Sequence, residues 1–172
     1  PEASFSLVVD NTEILLHALQ AGQLDFALVE GFFDQSRYES QLYRREEFFG
    51  VCNPAHPLAG RAVSIEELLD ERLILRETGS GTRAIFEEAL HRENHTLQSF
   101  SRVVTISDFS TIKSLVMNGL GVSFFYAPVV EPELANGTLA RFDLAGVPMR
   151  GAFYFVCLKD NLFAQSWTDW MQ

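Results

Sequence analysis

Apolar and polar positions near the start of the chain switch between strand-like and helix-like spacing. Residues Phe5 to Val9 form a short apolar run rich in β-formers, which predicts a strand covered on both faces. The next segment has apolar residues at helical spacing, is capped by Asn11 or Thr12 and ends at Gly22. Leu24 to Val29 predicts a second buried strand, so the pattern indicates a right-handed β-α-β unit with parallel strands.

The remaining sequence continues to alternate between the two kinds of segment. Arg37 to Arg45 is polar and predicts a loop, whereas Glu46 to Cys52 predicts a strand that the two prolines of the next turn bring to an end. Ser64 opens a capping box and a short helix. This alternation is typical of an α/β fold built on sheets. Further strands are predicted at 72–75, 102–106, 122–126, 139–144 and 153–158, and further helices at 81–92, 107–118, 128–136 and 163–171.

The composition of the chain limits the kinds of partner that it can bind. The chain has 172 residues, of which 47% are hydrophobic, enough for the core of one domain or two small lobes. Lys and Arg number 13 against 23 Asp and Glu, giving a net charge of −10. Nucleic-acid binding needs clustered cations, and an anionic membrane repels an acidic surface. We therefore expect no direct DNA contact by this chain, no membrane partner and no membrane-spanning segment.

The two cysteines predict a reducing compartment. Cys52 and Cys157 are too few for a disulfide framework, and each lies in an apolar, strand-like run. Free cysteines in such runs are usually buried small hydrophobes. A redox switch that pairs the two is the alternative. The expected location is cytoplasmic.

The run from Gly79 to Arg83 reads G-S-G-T-R and opens a predicted helix. Glycines allow a tight turn, the helix start carries positive potential, and Ser80 and Thr82 add hydroxyl donors. Arg83 adds a fork suited to a carboxylate. It is not a P-loop, because the Lys-Ser/Thr pair is missing. The alternative is a capped helix start whose Arg83 pairs with Glu77 or Glu87.

Two other segments are candidates for ligand contact because each joins a strand end to a helix start. Hydroxyls and helix-start N–H groups suit a carboxylate or a similar oxyanion. The two segments could face each other across a gap between lobes, although simple helix capping explains the same residues. The candidates are Asn11 and Thr12 in one segment, and Thr105, Ile106, Ser107, Asp108 and Phe109 in the other.

No constellation for catalysis or metal binding is visible. His91 and His95 have helical spacing, but the glutamate that a zincin needs after the first histidine is missing. There is no G-x-S-x-G run, and neither cysteine lies at a helix start. Trp167 and Trp170 are three apart on the last predicted helix and fit core packing. We expect no enzyme activity, no metal and no cofactor.

Taken together, these segments resemble the effector-binding domain of LysR-type transcriptional regulators. The features that carry the resemblance cover nearly the whole chain. One local departure is Tyr126, which stands where the family usually has a proline that ends the strand. The matching features are an L-x-x-G-x-L-D-x-A run at 19–27, N-P-x-H-P-L at 53–58, G-S-G-T-R at 79–83 and V-x-x-G-x-G-V at 116–122.

The resemblance implies a two-lobe α/β fold like that of type II periplasmic solute-binding proteins, with two crossover strands. Residues 1–49 and 154–172 would form lobe one, and residues 50–153 would form lobe two. Both cysteines would lie on the crossovers, near each other. Lobe one would lack its first strand and helix, leaving an association-prone edge and favouring a homo-oligomer.

The implied function is effector sensing and oligomerisation within a DNA-binding regulator. A small anionic metabolite would bind between the lobes, with Tyr126, Ser80 and Thr82 among its contacts. DNA would be bound only through a helix-turn-helix domain that is absent from this sequence. The rival functions are an extracytoplasmic solute-binding protein of related fold and an enzyme on the same two-lobe scaffold.

Overall fold

The computed structural model describes residues 6–159 and has the predicted α/β organisation. The predicted helix at 163–171 and both tryptophans lie outside the described residues. The strands are β1 (Ala27–Glu30), β2 (Tyr38–Cys52), β3 (Ala62–Val63), β4 (Arg72–Leu75), β5 (Arg102–Thr105), β6 (Ser123–Tyr126), β7 (Ala140–Leu144) and β8 (Met149–Leu158). The helices are α1 (Thr12–Gln20), α2 (Ile65–Leu68), α3 (Gly81–Arg92), α4 (Phe109–Met117) and α5 (Ala127–Ala135), with a 3₁₀ turn at Leu97–Ser99.

Strand β2 organises the larger sheet. Its partner β8 runs antiparallel to it, from the pair Tyr38 and Leu158 to the pair Phe48 and Met149. The sheet order is β1-β8-β2-β7-β3, and β6 also pairs with β2. Strands β4 and β5 form a separate parallel pair, and Leu73 of β4 bridges to Val122, the residue before β6.

The predicted loop at residues 37–45 is wrong, because Tyr38 to Arg45 belongs to β2. Nearly all of these side chains are exposed, so the segment has no apolar face that would indicate a strand. Backbone pairing with β8 holds the segment extended instead. The polar sequence therefore concealed a strand whose partner lies more than a hundred residues away.

The predicted strand before α1 is also wrong. Residues 6–9 belong to no strand or helix, and Phe5 lies outside the described residues. Leu7 is 81% exposed and Val9 is 86% exposed. A strand needs a neighbour to pair with, and none lies beside this segment in the described part of the chain. Strand β1 instead pairs antiparallel with β8, so the predicted parallel β-α-β unit is wrong.

Apolar side chains form three buried clusters, each built around different helices. Phe86 and Leu90 of α3 lie in the largest cluster. The rings of Phe86 and Phe124 stack there with centroids 4.2 Å apart. A second cluster packs α4 and α5 against the sheet around Phe125. The third cluster joins α1 to β1 and β8, through Leu15, Leu19, Ala27, Val29, Tyr38 and Val156.

The two cysteines are buried, as predicted, but they lie far apart. Cys52 pairs with Ala140 at one end of β2, whereas Cys157 pairs with Glu39 near the other end. At roughly 3.3 Å per residue, thirteen positions of strand separate the two sites by about 40 Å. A disulfide needs Cα atoms about 4.4–6.8 Å apart. The prediction that the cysteines lie near each other is therefore wrong, and a bond between them within one chain is excluded.

No helix among residues 6–159 has the length and apolar character needed to cross a membrane.

Candidate ligand-binding site

Helices α1 and α3 begin beside each other. The Glu13 N–H donates to the Gly79 carbonyl at 3.3 Å. A Cβ at Gly79 would lie 2.6 Å from the Glu13 carboxylate, and the φ of Gly79 is +90°. A Cβ at Gly31 would lie 3.0 Å from the Gly81 Cα. Gly79 is therefore required by the close approach of α1, and Gly31 by the close approach of Gly81.

Glu30, the last residue of β1, lies at the start of α3. Its Oε1 accepts a hydrogen bond from the Thr82 N–H at 3.2 Å. The Thr12 hydroxyl donates to the Glu30 carbonyl at 3.0 Å and accepts from the Glu30 N–H at 3.4 Å. Burial raises the pKa of Glu30, while hydrogen bonds from Tyr126 and Thr82 oppose that rise. The predicted ligand contact Thr12 therefore fixes the end of β1.

Asn11, rather than Thr12, caps α1, and it also links the start of α1 to the turn before α3. Its Oδ1 accepts from the Ile14 N–H at 3.0 Å, and its Nδ2 donates to Glu77 Oε1 at 3.1 Å. Arg76 donates from Nε to Glu77 Oε2 at 2.8 Å and lowers the pKa of that carboxyl. The Arg76 Cζ lies 4.3 Å from the centroid of the Phe109 ring.

Asp108 caps α4 and accepts two hydrogen bonds from Thr111, at 2.6 and 2.7 Å, which lower its pKa. Thr105 and Ser107 are exposed, and the Ile106 N–H donates to the Leu75 carbonyl. Within residues 6–159, no hydrogen bond joins Ser107 to Thr12. The two predicted segments are therefore linked only indirectly, through the Arg76–Glu77 pair and the Phe109 ring.

Ser80, Thr82 and Tyr126 are all buried. The Ser80 and Thr82 hydroxyls lie 2.8 Å apart and bond to each other, and Ser80 makes no side-chain cap. Tyr126 is 2% exposed, and its hydroxyl donates to the Glu30 carboxylate. That hydroxyl faces Glu30, and burial together with the Glu30 charge raises the pKa of Tyr126.

Arg83 pairs with the glutamate one turn further along α3. Its Nε donates to Glu87 Oε1 at 2.8 Å, and its Nη1 donates to the Arg76 carbonyl at 3.4 Å. Of the two partners predicted for this arginine under the alternative, Glu77 and Glu87, the structure contains the pair with Glu87.

A cavity of about 320 Å³ opens between α1, the loop after β1 and the first turns of α3. Its size is near the lower end of the range for small-molecule sites. Of the predicted contacts, Thr12 and Ser80 line it, whereas Asn11, Thr82, Tyr126 and the segment 105–109 do not. Its charged rim consists of Glu13, Asp34, Arg37, Arg83 and Glu87.

Metal binding finds no support in residues 6–159, where no three His, Cys, Asp or Glu side chains are grouped to hold an ion. His91 is exposed, and His95 Nε2 lies 3.7 Å from Glu66 Oε1.

Comparison with known proteins identifies the fold. A family model described as the LysR substrate binding domain matches residues 1–172. The chain belongs to this family. The predicted resemblance to a LysR-type effector-binding domain is confirmed. The rival prediction, an extracytoplasmic solute-binding protein, is not favoured.

The LysR relatives are transcriptional regulators. The transcriptional activator CmpR of Synechocystis sp. is 34% identical over 175 residues, covering 99% of this chain and 57% of that protein. CysL of Bacillus subtilis is 31% identical over 157 residues, covering 91% and 52%. The chain thus spans about half the length of these relatives.

A solved LysR-type structure has the same fold. The regulatory domain of Synechocystis CcmR, in complex with 2-PG, superposes with a TM-score of 0.82 at 26% identity. The match covers 96% of this chain and 80% of that one. The periplasmic-binding-protein-like fold predicted from the sequence is confirmed.

Three residues that organise the junction were absent from the predicted site: Glu30, Arg76 and Glu77. Glu30 is the charged residue at the end of an apolar strand, and Gly31 follows it directly. This order of residues indicates a charged group that is held at the end of a strand. Arg76 and Glu77 stand between a buried strand and the glycine-rich turn. Adjacent opposite charges at such a point are easily mistaken for solvent-exposed residues.

Proposed function

We propose that this LysR-family chain senses a small-molecule effector at the junction where α1 and α3 begin. The observation that carries the proposal is the convergence of Thr12, Ser80 and the buried Glu30–Thr82 contact beside a cavity of about 320 Å³. The complex of CcmR with 2-PG supports a ligand-binding role for a domain of this fold.

The two-lobe division supplies the setting for this site. We propose lobes of residues 1–49 with 154–172 and of residues 50–153, with β2 and β8 as the crossovers. The separate apolar cluster around Leu19 supports a first lobe with its own core. The effector would bind where the lobes meet, contacting Asn11, Thr12, Ser80 and Thr82. The segment 105–109 and Tyr126 would then form the opposite wall of the site. Arg76 would connect the two walls through its contact with the Phe109 ring.

In the whole protein, the domain would act as the input of a cytoplasmic, oligomeric transcriptional regulator without catalytic activity. DNA would be contacted by a separate helix-turn-helix domain, because the charge of −10 on this chain opposes direct binding. An effector can change the assembly only as far as it binds two arrangements with different affinity. The junction between α1 and α3 is suited to this, since it connects two apolar clusters.

Native mass spectrometry of the protein purified from its host tests the proposal. We expect a small molecule bound at one per chain. Ser80→Ala should weaken that binding about tenfold to a hundredfold, because a hydrogen bond to a charged ligand contributes about 1.5–3 kcal/mol. Thr138→Val, at an exposed threonine after α5, serves as the control and should retain the ligand. Equal occupancy in both variants would move the site away from this junction.

A further inference from the structure

A second cavity, of about 490 Å³, lies between α3 and the chain that leads into β8. Its volume is within the range that is typical of small-molecule sites. Among residues 6–159, Phe32 alone lines both this cavity and the one between α1 and α3. The second cavity is therefore separate from the proposed effector site.

One face of α3 forms a wall of this cavity. The lining residues of the helix are Ile85, Glu88, Ala89 and Arg92, whose spacing of three and four residues places them in one row. Ile85 and Ala89 are buried and belong to the largest apolar cluster. From Ile85 to Arg92 the row is about 10 Å long, because a helix rises about 1.5 Å per residue. This length is enough for a fused aromatic ring system.

The opposite wall is also apolar. Val147, Pro148 and Met149 line it, and Val147 and Met149 belong to the same apolar cluster as the α3 wall. The Gly31 N–H donates to the Ala152 carbonyl at 3.4 Å, which brings Phe32 beside the start of β8. Phe32 is 64% exposed, so an apolar ligand that covers its ring removes that surface from water.

Arg150 supplies a positive charge that is not neutralised. It lines the cavity, and within residues 6–159 its guanidinium has no hydrogen bond and no ion pair. Its neighbour on β2 is Glu47, but the Glu47 carboxylate accepts from Arg141 at 2.8 Å instead. A guanidinium without a partner can form a charge-assisted, bidentate pair with an anion.

The other charges of the cavity do not oppose an anion. Arg92 donates to Glu88 at 3.2 Å, so these two side chains neutralise each other. Two arginines and one glutamate give the lining a net charge of +1, on a chain whose net charge is −10. A positive cavity on an acidic protein concentrates anions locally.

We propose that this cavity is a second small-molecule site, which binds an anion with an apolar, ring-sized body. The body packs between the ring of Phe32 and the apolar wall around Ala89, and its carboxylate, sulfonate or phosphate group pairs with Arg150. This inference goes beyond the proposed effector site and does not rest on it, because the two cavities share only one lining residue.

Equilibrium dialysis with naphthalene-1-carboxylate tests this proposal, with naphthalene-1-methanol as the uncharged probe of similar shape. Wild-type protein should bind one carboxylate probe per chain, at least about tenfold more tightly than the alcohol. Arg150→Gln should weaken binding of the carboxylate about tenfold and leave binding of the alcohol unchanged. Arg45→Gln removes the same charge from an exposed arginine of β2 that lines neither cavity, and it should bind as wild type does.

Two further variants separate the charged contact from the apolar one. Arg150→Lys keeps the positive charge and should recover most of the affinity for the carboxylate, which a general loss of structure in the glutamine variant would not allow. Phe32→Ser should weaken both probes by a similar factor, because it removes apolar surface that the ring body covers.

Equal affinity of wild type and Arg150→Gln for the carboxylate would overturn the proposal. A dissociation constant above about 10 mM for wild type would do the same. Carboxylate binding that is lost in Ser80→Ala but kept in Arg150→Gln would place the probe in the first cavity, and this result would also overturn the proposal.

Discussion

Gly81 and Glu30 are so close that no other residue fits at position 81. A Cβ on Gly81 would lie 2.5 Å from Glu30 Cγ and 2.6 Å from the Glu30 carbonyl oxygen. The φ of Gly81 is not positive, so space rather than backbone freedom requires the glycine. The first helical residue of α3 is thus selected by a strand that lies fifty residues earlier in the chain.

Gly81→Ala should destabilise the protein by about 1–3 kcal/mol, because the added methyl group must push the end of β1 away from α3. The direction of the change in unfolding free energy distinguishes this close contact from an ordinary helical position. At an unobstructed helical position the same substitution stabilises by up to about 1 kcal/mol. Urea unfolding of the two proteins gives the free-energy difference. A variant as stable as wild type would mean that β1 moves aside at no cost.

Helix α3 shows how far the sequence alone could lead. Its limits, Gly81 and Arg92, and its buried residues follow from local periodicity and a glycine-rich start, and the structure agrees. For the segments Ser6 to Val9 and Tyr38 to Arg45, the local pattern predicted the wrong structure. Whether each is a strand depends on a partner elsewhere in the chain, and no local pattern records that partner.

The residues of the candidate site also divide into those that the sequence predicted and those that it did not. Asn11 and Asp108 were found because capping is a local property of a helix start. Glu30 was missed because its importance comes from α3 and Tyr126, which reach it only after folding. A single glutamate at the end of a strand looks like an ordinary surface residue until the chain is folded.

Asn11 should prove to be both a cap and a tie between α1 and the turn before α3. Asn11→Ala loses the bond from Ile14 and the bond to Glu77, so it should cost more than the roughly 1 kcal/mol typical of a lost cap. Asn11→Ser keeps a capping oxygen but cannot donate to Glu77 at the same time. Thermal unfolding should therefore rank stability as wild type, then serine, then alanine. Equal stability of the serine variant and wild type would show that the tie to Glu77 contributes nothing.

Two glutamates at the junction should affect stability in opposite directions as the pH changes. Burial raises the pKa of Glu30 above its ordinary value of 4.5, so its ionised form is disfavoured in the folded state. Stability is lost as the pH rises from that ordinary value through the raised one. Glu30→Gln should accordingly stabilise the protein at about pH 7, and the gain should fade on acidification.

Arg76 gives Glu77 the reverse behaviour, since it lowers the pKa of that carboxyl. Its contribution is present above the ordinary value of 4.5 and is lost as the pH falls through the lowered one. Glu77→Gln should destabilise at about pH 7 and have less effect near about pH 3. Urea unfolding at both pH values measures the two variants against wild type, and effects of the same sign would contradict this assignment.

Neither cysteine should behave as a redox sensor. Burial raises the pKa of the Cys52 thiol to about 11 and also raises that of Cys157, so little thiolate exists near neutral pH. Native protein should react slowly with iodoacetamide and rapidly once unfolded in guanidinium. Mass spectrometry after treatment with diamide should detect no bond between the two cysteines within one chain. Rapid alkylation of the native protein would contradict this prediction.

Strand β2 carries side chains of both the α1 cluster and the α3 cluster, with Tyr38 at one end and Phe48 and Cys52 toward the other. Between these ends, Arg45 to Glu47 of β2 and Arg150 to Ala152 of β8 form a short two-stranded ribbon, next to a register shift between Leu42 and Arg44. Antiparallel ribbons twist, and such an irregularity increases the twist locally. Any change in the angle between the two clusters must be absorbed as torsion in this ribbon. Its torsional stiffness therefore sets how many degrees of rotation a given binding free energy can produce.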